Sequence, residues 1–328
     1  ISEILRHNEM LRHKMLHHRM LRHLKFSSET LAHNLRDSYL YTMKKILLAT
    51  ILLAITALSV QAQDLPASWE ELTSADFVKA THLSQGLCII PMGVVEKHGQ
   101  HLPLGTDVFI ARELSLLAAR TEYAVVFPFW YAGQIFEARH QPGTISYSPE
   151  LLFRLLDETC REISRNGFKK ILLVNGHGGN TNLIQYFCQT QLESERDYSV
   201  YFFNAELDPE TNLRIRAMRK STTGGHADEV ESSQMAYIRP DLTHIDRATS
   251  DSGEDLNRLP LPGAYTGIWW YAKYPNHYAG DAKDANPELG QYVMEKRVEK
   301  LAGVIRMIKA DTTTRHLQNR FYREATAH

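Results

Sequence analysis

Apolar and polar positions follow two different rhythms between residues 65 and 250. Short apolar runs predict strands, and segments with apolar residues every three or four positions predict amphipathic helices between them. The predicted strands are 86–90, 123–129, 170–174 and 199–204. The predicted helices are 69–79, 108–120, 149–166, 183–193 and 227–238. Because strands alternate with helices, we predict an α/β fold with a mostly parallel sheet, in one domain.

The helix at 149–166 has the clearest boundaries. Ser148 is suited to cap its first turn, Pro149 to occupy the first helical position, and Gly167 to end it. Its leucines at positions 151, 152, 155 and 156 form one apolar stripe that should face the sheet.

The tract 251–290 lacks such periodicity and is rich in Pro, Gly, Trp and Tyr. A loop of this length is usually either a functional lid or a disordered segment, and the aromatic content favours a lid. The triplet Trp269-Trp270-Tyr271 is suited to stacking on a flat substrate ring, and equally to a plain apolar core.

The first 62 residues differ in composition from the rest. Residues 1–42 repeat Leu-Arg-His, carry six histidines and begin with Ile1. Met43-Lys44-Lys45 then precedes fifteen uncharged residues and the small residues Val60 and Ala62, the layout of a secretory signal peptide. We therefore expect 1–42 to be an upstream segment outside the native protein, 43–62 to be a signal peptide, and 63–328 to be a periplasmic or secreted domain.

Charge and cysteine content narrow the class of protein. Residues 63–328 carry 28 basic and 34 acidic side chains, so nucleic acid and anionic membranes are not expected partners. Three cysteines, Cys88, Cys160 and Cys188, lie in apolar stretches. We expect buried thiols, with one structural disulfide as the alternative.

A first group of chemically active residues follows the predicted strand 86–90. Glu96 and His98 are two residues apart, so in an extended chain their side chains project to one side, and Asp107 can return to meet them. Open α/β sheets bind ligands at this end of their strands, and two carboxylates with an imidazole suit zinc or manganese. The alternative is a set of solvated loop residues, which the five Gly and Pro residues between 91 and 105 disfavour.

A second group, Asn175-Gly176-His177-Gly178-Gly179-Asn180, directly follows the predicted strand 170–174. Its glycines would expose His177 at the same edge of the sheet. A phosphate-binding loop is the alternative, but the segment lacks both the P-loop and the dinucleotide-binding spacing.

A third group surrounds the start of the predicted helix 227–238. At 100° per residue, Glu229 would lie about 60° from His226 and Glu231 about 140° away, so Glu229 is the better placed to join it. The alternative is a helix N-terminus whose acids only complement the macrodipole.

Together these segments resemble the creatininase (creatinine amidohydrolase) family. The matching stretches are Glu96-x-His98-Gly99-x-His101-Leu102-Pro103-Leu104-x-Thr106-Asp107, Gln141-Pro142-Gly143-Thr144-Ile145-Ser146, Asn175-Gly176-His177-Gly178-Gly179-Asn180, Gly280-Asp281-Ala282 and Glu288-Leu289-Gly290. The resemblance implies a three-layer α/β/α sandwich, two adjacent divalent metal ions and a homo-oligomer, expected to be a hexamer.

The resemblance also implies a ligand set. Glu96, Asp107 and His177 would hold one metal ion, and His98, Asp107 and a further Glu the second. The family's last ligand is a Glu where this chain has Gly179. We assign its place to Glu229, with Glu231 as the alternative.

Two further histidines match the family's motifs. His226, at the position of the catalytic histidine, is expected to give a proton to the leaving nitrogen, with metal binding as its alternative role. His101 is expected to support the loop rather than bind metal.

The implied enzyme is a metal-dependent amidohydrolase acting on C–N bonds other than peptide bonds, through a hydroxide held by two metal ions. Zinc is the first expectation, with manganese or iron as alternatives. The expected substrate is a small amide, with a cyclic, creatinine-like one as first candidate. The alternatives are a formamide deformylase of the same family and an exported metal- or solute-binding protein without turnover.

Overall fold

The structure is a computed structural model that describes residues 65–327 together with positions 10, 15, 20, 40, 41 and 43–47. The chain divides into two units, Ile1–Gln61 and Ala62–His328. The described residues of the first unit are helical. The predicted upstream segment and signal peptide otherwise lie outside the described residues. Among the helices that are described, none combines the length and apolar character needed to cross a membrane.

A four-stranded parallel sheet forms the centre of the second unit. Its order is β2 (Val125–Val126), β1 (Leu87–Met92), β3 (Lys170–Asn175) and β4 (Ser199–Asn204). Met92 lies opposite Asn175, and Asn175 lies opposite Asn204. The carboxyl ends of β1, β3 and β4 are therefore level, so the residues that follow them meet at one edge. Two short strands, β5 (Gly224–His226) and β6 (Ala279–Gly280), pair antiparallel beside it.

Nine α-helices lie between residues 65 and 327. They are α1 (Ser74–Leu83), α2 (Thr106–Thr121), α3 (Pro149–Arg165), α4 (Asn180–Thr190), α5 (Pro209–Met218), α6 (Glu229–Ile238), α7 (Trp269–Lys273), α8 (Pro287–Ala310) and α9 (Thr313–Ala325).

The helices cover both faces of the sheet. Because side chains alternate along a strand, Leu87 and Ile89 of β1 face one side and Cys88 and Ile90 face the other. The first side packs on α2, α6 and α8 through Leu114, Met235 and Leu301. The second packs on α1, α3 and α4 through Ala80, Leu156 and Ile184. This arrangement confirms the predicted α/β sandwich.

Several predicted elements differ from the observed ones at their ends. The strand predicted at 123–129 pairs with β1 only at Val125–Val126, and Pro128 has no N–H to continue the ladder. The helix predicted from residue 69 begins at Ser74, because the Thr73 hydroxyl caps it by accepting a hydrogen bond from Asp76 N. Helix α3 has the predicted Ser148 cap. Helices α5, α7, α8 and α9 lie outside the predicted elements.

The three cysteines are free thiols. Cys88 and Cys160 are fully buried in the apolar core, and Cys188 is partly buried. Burial raises the pKa of the Cys188 thiol to about 11, as expected for an unreactive core cysteine.

Candidate active site

Two glycines bring the polar loops of the sheet edge together. A Cβ on Gly93 would lie 2.4 Å from Val108 N, so only glycine allows the loop after β1 to pass so close to the start of α2. A Cβ on Gly176 would lie 2.7 Å from the Ala111 side chain, which explains the same close approach by the loop after β3. These contacts place the two loops and the start of α2 around one buried volume.

Glu96, Asp107 and His177 converge in that volume. Glu96 Oε1 and Asp107 Oδ2 lie 2.9 and 3.0 Å from His177 Nδ1. The other ring nitrogen of His177, Nε2, is 3.0 Å from the backbone oxygen of Gln134. Since a carbonyl can only accept, Nε2 carries a hydrogen, and Nδ1 is the ring nitrogen that faces the two carboxylates.

His98 repeats this arrangement on the other side of Asp107. Its Nδ1 donates to Glu96 O at 3.2 Å, so its Nε2 faces Asp107 Oδ1 at 3.2 Å and Glu231 Oε1 at 3.9 Å. Asp107 thus presents one carboxylate oxygen to each histidine. The five side chains form two groups that share Asp107, namely Glu96, Asp107 and His177, and His98, Asp107 and Glu231.

The pKa shifts of these groups indicate that the site favours a positive charge. Burial lowers the pKa of His98, but Asp107 and Glu231 raise it to about 10. Burial likewise lowers the pKa of His177, yet Glu96 and Asp107 raise it well above its ordinary value. Burial raises the pKa of Glu96, and His177 nevertheless keeps it well below its ordinary range.

Unpartnered oxygens give an independent test of what fits here. Glu96 Oε1 and Asp107 Oδ2 are buried and have no hydrogen-bond partner among the described residues. Buried carboxylates without partners are rare unless a cation neutralises them. Both histidines, moreover, donate their remote N–H to a backbone carbonyl, as metal-binding histidines usually do. The donor set therefore fits divalent metal ions.

The predicted ligand Glu229 is not part of either group. Its carboxylate accepts hydrogen bonds from Lys220 N at 2.9 and 3.0 Å and from Ser221 N at 2.6 Å. Glu231 occupies the expected place instead. The helical angles used in the prediction do not apply, because His226 belongs to β5 and lies outside the helix.

The chain between His226 and α6 explains the change. Ala227 has a φ of +54°, and Asp228 is the extended N-cap residue that accepts from Val230 N and Glu231 N. The helix therefore begins at Glu229, two residues later than predicted. Glu231 is further fixed because its Oε2 accepts a hydrogen bond from Ala227 N at 2.5 Å.

His226, the expected catalytic histidine, lies beside the two groups. Its ring centroid is 4.3 Å from that of His98, and its Nε2 donates to Lys97 O at 2.8 Å. Burial lowers its pKa to about 3, and Glu96 only partly opposes the shift. His226 also lies close enough to Glu96 and His98 to act as a third ligand.

His277 is a site residue that the sequence did not reveal. It is buried, and its Nε2 forms a short hydrogen bond with Glu96 Oε2. Trp270 Nε1 donates to His277 Nδ1 at 3.1 Å, which places the histidine hydrogen on Nε2, facing Glu96. Trp270, His277 and Glu96 thus form a directed hydrogen-bond chain that ends on a candidate metal ligand.

Strand pairing brings this part of the tract 251–290 to the site. His226 of β5 lies opposite Ala279 of β6, so His277, just before β6, reaches the His226 ring at a centroid distance of 4.6 Å. His277 adopts a φ of +52°, an uncommon conformation for a residue other than glycine. No local motif marks it; the nearest sequence signal is the Gly280-Asp281-Ala282 loop that follows.

His101 lies outside both groups. Its Nε2 is 3.1 Å from Ala227 O and 2.8 Å from Ser232 Oγ, so it ties the loop after β1 to the start of α6. Burial lowers its pKa to about 4. A neutral His101 in this position supports the loop, the role expected from the sequence.

Comparison with known proteins agrees with this geometry. Residues 70–305 match the model of the family described as creatininase, creatinine amidohydrolase. A creatinine amidohydrolase from Pseudomonas putida is 24% identical over 263 residues, which cover 72% of this chain and 95% of the relative. A 3-dehydro-scyllo-inosose hydrolase from Thermotoga maritima is 25% identical over 241 residues, covering 68% of this chain and 77% of the relative.

Solved structures show the same fold. A mutant creatininase described as the zinc–zinc type superimposes with a TM-score of 0.65 at 22% identity, covering 76% of this chain and all of the other. A structure described as creatininase Mn gives a TM-score of 0.64 at 22% identity, covering 75% and 100%. The prediction of a hydrolase is confirmed by the named relatives. Because the family model matches residues 70–305, which are most of this chain, the chain belongs to the creatininase family.

Proposed function

We propose that this protein is an amidohydrolase that uses two divalent metal ions to hydrolyse a C–N bond of a small amide. The observation that carries the proposal is the pair of ligand groups joined at Asp107, with two buried carboxylate oxygens that have no hydrogen-bond partner within residues 65–327. Membership of the creatininase family supports it.

We assign one ion to Glu96, Asp107 and His177, and the other to His98, Asp107 and Glu231. Zinc is our first choice for both and manganese the second; iron also suits nitrogen and oxygen ligands. The zinc–zinc and manganese creatininase structures are consistent with this order. Bound there, the ions would supply an activated water and polarise the amide carbonyl.

The chain's own residues perform the remaining steps. His226 is neutral near pH 7, because its pKa lies at about 3. Since its Nε2 hydrogen is engaged by Lys97 O, its Nδ1 is the atom that takes a proton from the attacking water and passes it to the leaving nitrogen. An amide nitrogen needs that proton, because the corresponding anion is too basic to leave.

An aromatic side chain from the tract 251–290 covers part of the site. Trp270 packs edge-on against His226, at a centroid distance of 5.9 Å, and therefore closes one side of the site. Creatinine and other cyclic or linear amides, including formamides, are the candidates we propose.

A turnover screen tests the proposal. The full chain, loaded separately with zinc and with manganese, should release amine or acid from at least one of creatinine, hydantoins, lactams and formamides. His226→Ala should retain two metal ions per chain and lose about 10²- to 10⁴-fold in kcat. Metal analysis beside the kinetics checks both statements.

Two results would count against the proposal. Tight metal binding with no turnover of any amide would favour a metal- or solute-binding protein. Loss of a metal ion in His226→Ala would make His226 a ligand rather than the proton carrier. Tyr237→Phe, on the outer part of α6, is the matched control and should leave both measurements unchanged.

Export from the cytoplasm and assembly into an oligomer are further parts of the proposal. We propose that the signal peptide at 43–62 directs the protein out of the cytoplasm and that the mature chain forms a homo-oligomer, expected to be a hexamer. N-terminal sequencing of the exported protein and its native mass decide these points.

A further inference from the structure

A cavity of about 590 Å³ adjoins the two ligand groups. It lies at the carboxyl ends of β3 and β4, between α5, α6 and α8, and both His177 and Glu231 line it. A molecule in this cavity would therefore have one end at the reacting centre. A volume of this size is typical of sites for ligands considerably larger than a single small ring.

Three arginines line the same cavity, Arg216, Arg219 and Arg297. Within residues 65–327, none of their guanidinium groups forms an ion pair with a carboxylate. Three acids, Glu206, Asp228 and Glu231, also line the cavity, and each has another partner. Glu206 accepts a hydrogen bond from Asn204 Nδ2, Glu231 faces His98, and Asp228 accepts three backbone N–H groups. Asp228 and Glu231 are near enough to attract Arg297, but among the described residues no carboxylate is in direct contact with any of the three guanidinium groups.

Arg297 shows most clearly what the lack of a direct carboxylate partner means. Its Nη1 donates to Gln234 Oε1 at 2.6 Å, while its Nε is buried and has no partner among the described residues. Burial lowers its pKa, which means that its positive charge is disfavoured where it stands. A guanidinium in this situation is stabilised by a nearby anion.

Packing holds in place the helix end that carries the other two arginines. Ile215, next to Arg216 in α5, is buried against Leu289 and Val293 of α8. Asp208 caps the first turn of α5 by accepting a hydrogen bond from Thr211 N at 2.9 Å. Arg216 and Arg219 therefore extend from an anchored helix end, not from a free loop.

We propose that this cavity binds an anionic group of the substrate, a carboxylate or a phosphate, through Arg216 and Arg219, with Arg297 adding positive charge. The inference rests on the proposed amidohydrolase function and adds a substrate class: amides that carry an anionic group on the part of the molecule away from the scissile bond. Guanidinium groups bind both kinds of anion through paired hydrogen bonds.

The test compares matched amides in matched variants. N-formylglycine and N-formylglycinamide differ in one carboxylate, and N-formylaminomethylphosphonate replaces that group with a phosphonate. The metal-loaded full chain should prefer an anionic amide over the neutral one by about tenfold or more in kcat/KM. Whether the carboxylate or the phosphonate is preferred identifies the natural anion.

Arg216→Gln and Arg219→Gln, alone and combined, should raise KM for the anionic amide about tenfold while leaving kcat and metal content unchanged. The neutral amide should react as before. Arg214→Gln is the matched control, because Arg214 lies on the same helix, is exposed, and does not line the cavity. Equal KM values in the control and the double variant, or equal losses for neutral and anionic amides, would overturn the inference.

A binding measurement separates this inference from the proposed function. Calorimetric titration of the metal-loaded chain with glutarate and with inorganic phosphate needs no turnover. Binding that Arg216→Gln/Arg219→Gln weakens and Arg214→Gln does not supports the anion site, even if no amide is hydrolysed and the proposed function fails. Binding that is the same in both variants rejects the site, whatever the amide screen shows.

Discussion

The candidate active site has two halves that are built differently. The sheet half consists of Glu96, His98, Asp107 and His177, which follow two adjacent parallel strands and are almost completely buried. The cover half consists of Glu231, His226, His277 and Trp270, which come from the β5–α6 junction and the tract 251–290. The first half is positioned by strand register and close backbone packing, and the second by individual hydrogen bonds and one short strand pair.

This difference sets an order of sensitivity. Asp107, in the sheet half, belongs to both ligand groups, so a change there should remove more metal than any change in the cover half. Changes in the cover half should remove one metal ion or loosen its hold, because the sheet half still offers Glu96, His98, Asp107 and His177.

The largest effect is expected for Asp107→Asn. The neutral amide keeps the size of the side chain but removes the charge that faces both His98 and His177. Metal content should fall from two ions to fewer than one per chain, and activity by about 10³-fold or more. Elemental analysis after gel filtration measures the first and initial rates the second.

Glu113→Gln, on the same helix but outside the site, is the control for this change and should keep both metal ions. If Asp107→Asn still bound two ions, Asp107 would not be shared and the sheet half would not dominate the site.

A smaller and more selective effect is expected for Glu231→Gln. It should leave one metal ion per chain, since only the group of His98, Asp107 and Glu231 is affected. Glu229→Gln should keep both ions but lower the free energy of unfolding by about 1–3 kcal/mol, because the amide replaces one oxygen that accepts a buried backbone N–H.

Metal analysis and chemical denaturation of the two variants together make this comparison. Loss of a metal ion in Glu229→Gln, with two retained in Glu231→Gln, would restore the assignment made from the sequence.

The smallest effect is expected for the hydrogen-bond chain onto Glu96. His277→Asn should weaken metal binding about 10- to 100-fold, because Glu96 loses the donor that orients it. Trp270→Phe removes only the hydrogen bond to His277 Nδ1 and should have a weaker effect in the same direction. Competition with a chromogenic chelator measures both dissociation constants.

Trp269→Phe is the matched control, because Trp269 lies next to Trp270 but its side chain is exposed. If Trp270→Phe and Trp269→Phe gave the same metal affinity, and His277→Asn gave the wild-type value, the chain would have no positioning role.

Much of the fold was predictable from local patterns. The strand 199–204 was predicted with its observed bounds, and the helix at 149–166 with its Ser148 cap. Helix α8 was missed although its signals are present, with Asn286 as the N-cap residue and Pro287 in the first turn. The predicted start of α6 was wrong for a different reason. Ala227 adopts a left-handed backbone conformation, so the helix begins after it, and the periodicity of apolar residues does not indicate such a conformation.

The sequence by itself determined the sheet half of this site. The residues that follow β1 and β3 had to meet, because parallel strands in register end at one edge, and their chemistry already indicated divalent metal. Only the tertiary structure decided the cover half. Which acid of α6 faces the metal ligands depends on where the helix starts, and the approach of His277 depends on pairing between chain segments more than fifty residues apart. The pattern of apolar and polar residues in a segment predicts the local structure of that segment. Contacts between distant segments depend on tertiary packing, which cannot be inferred from one segment alone.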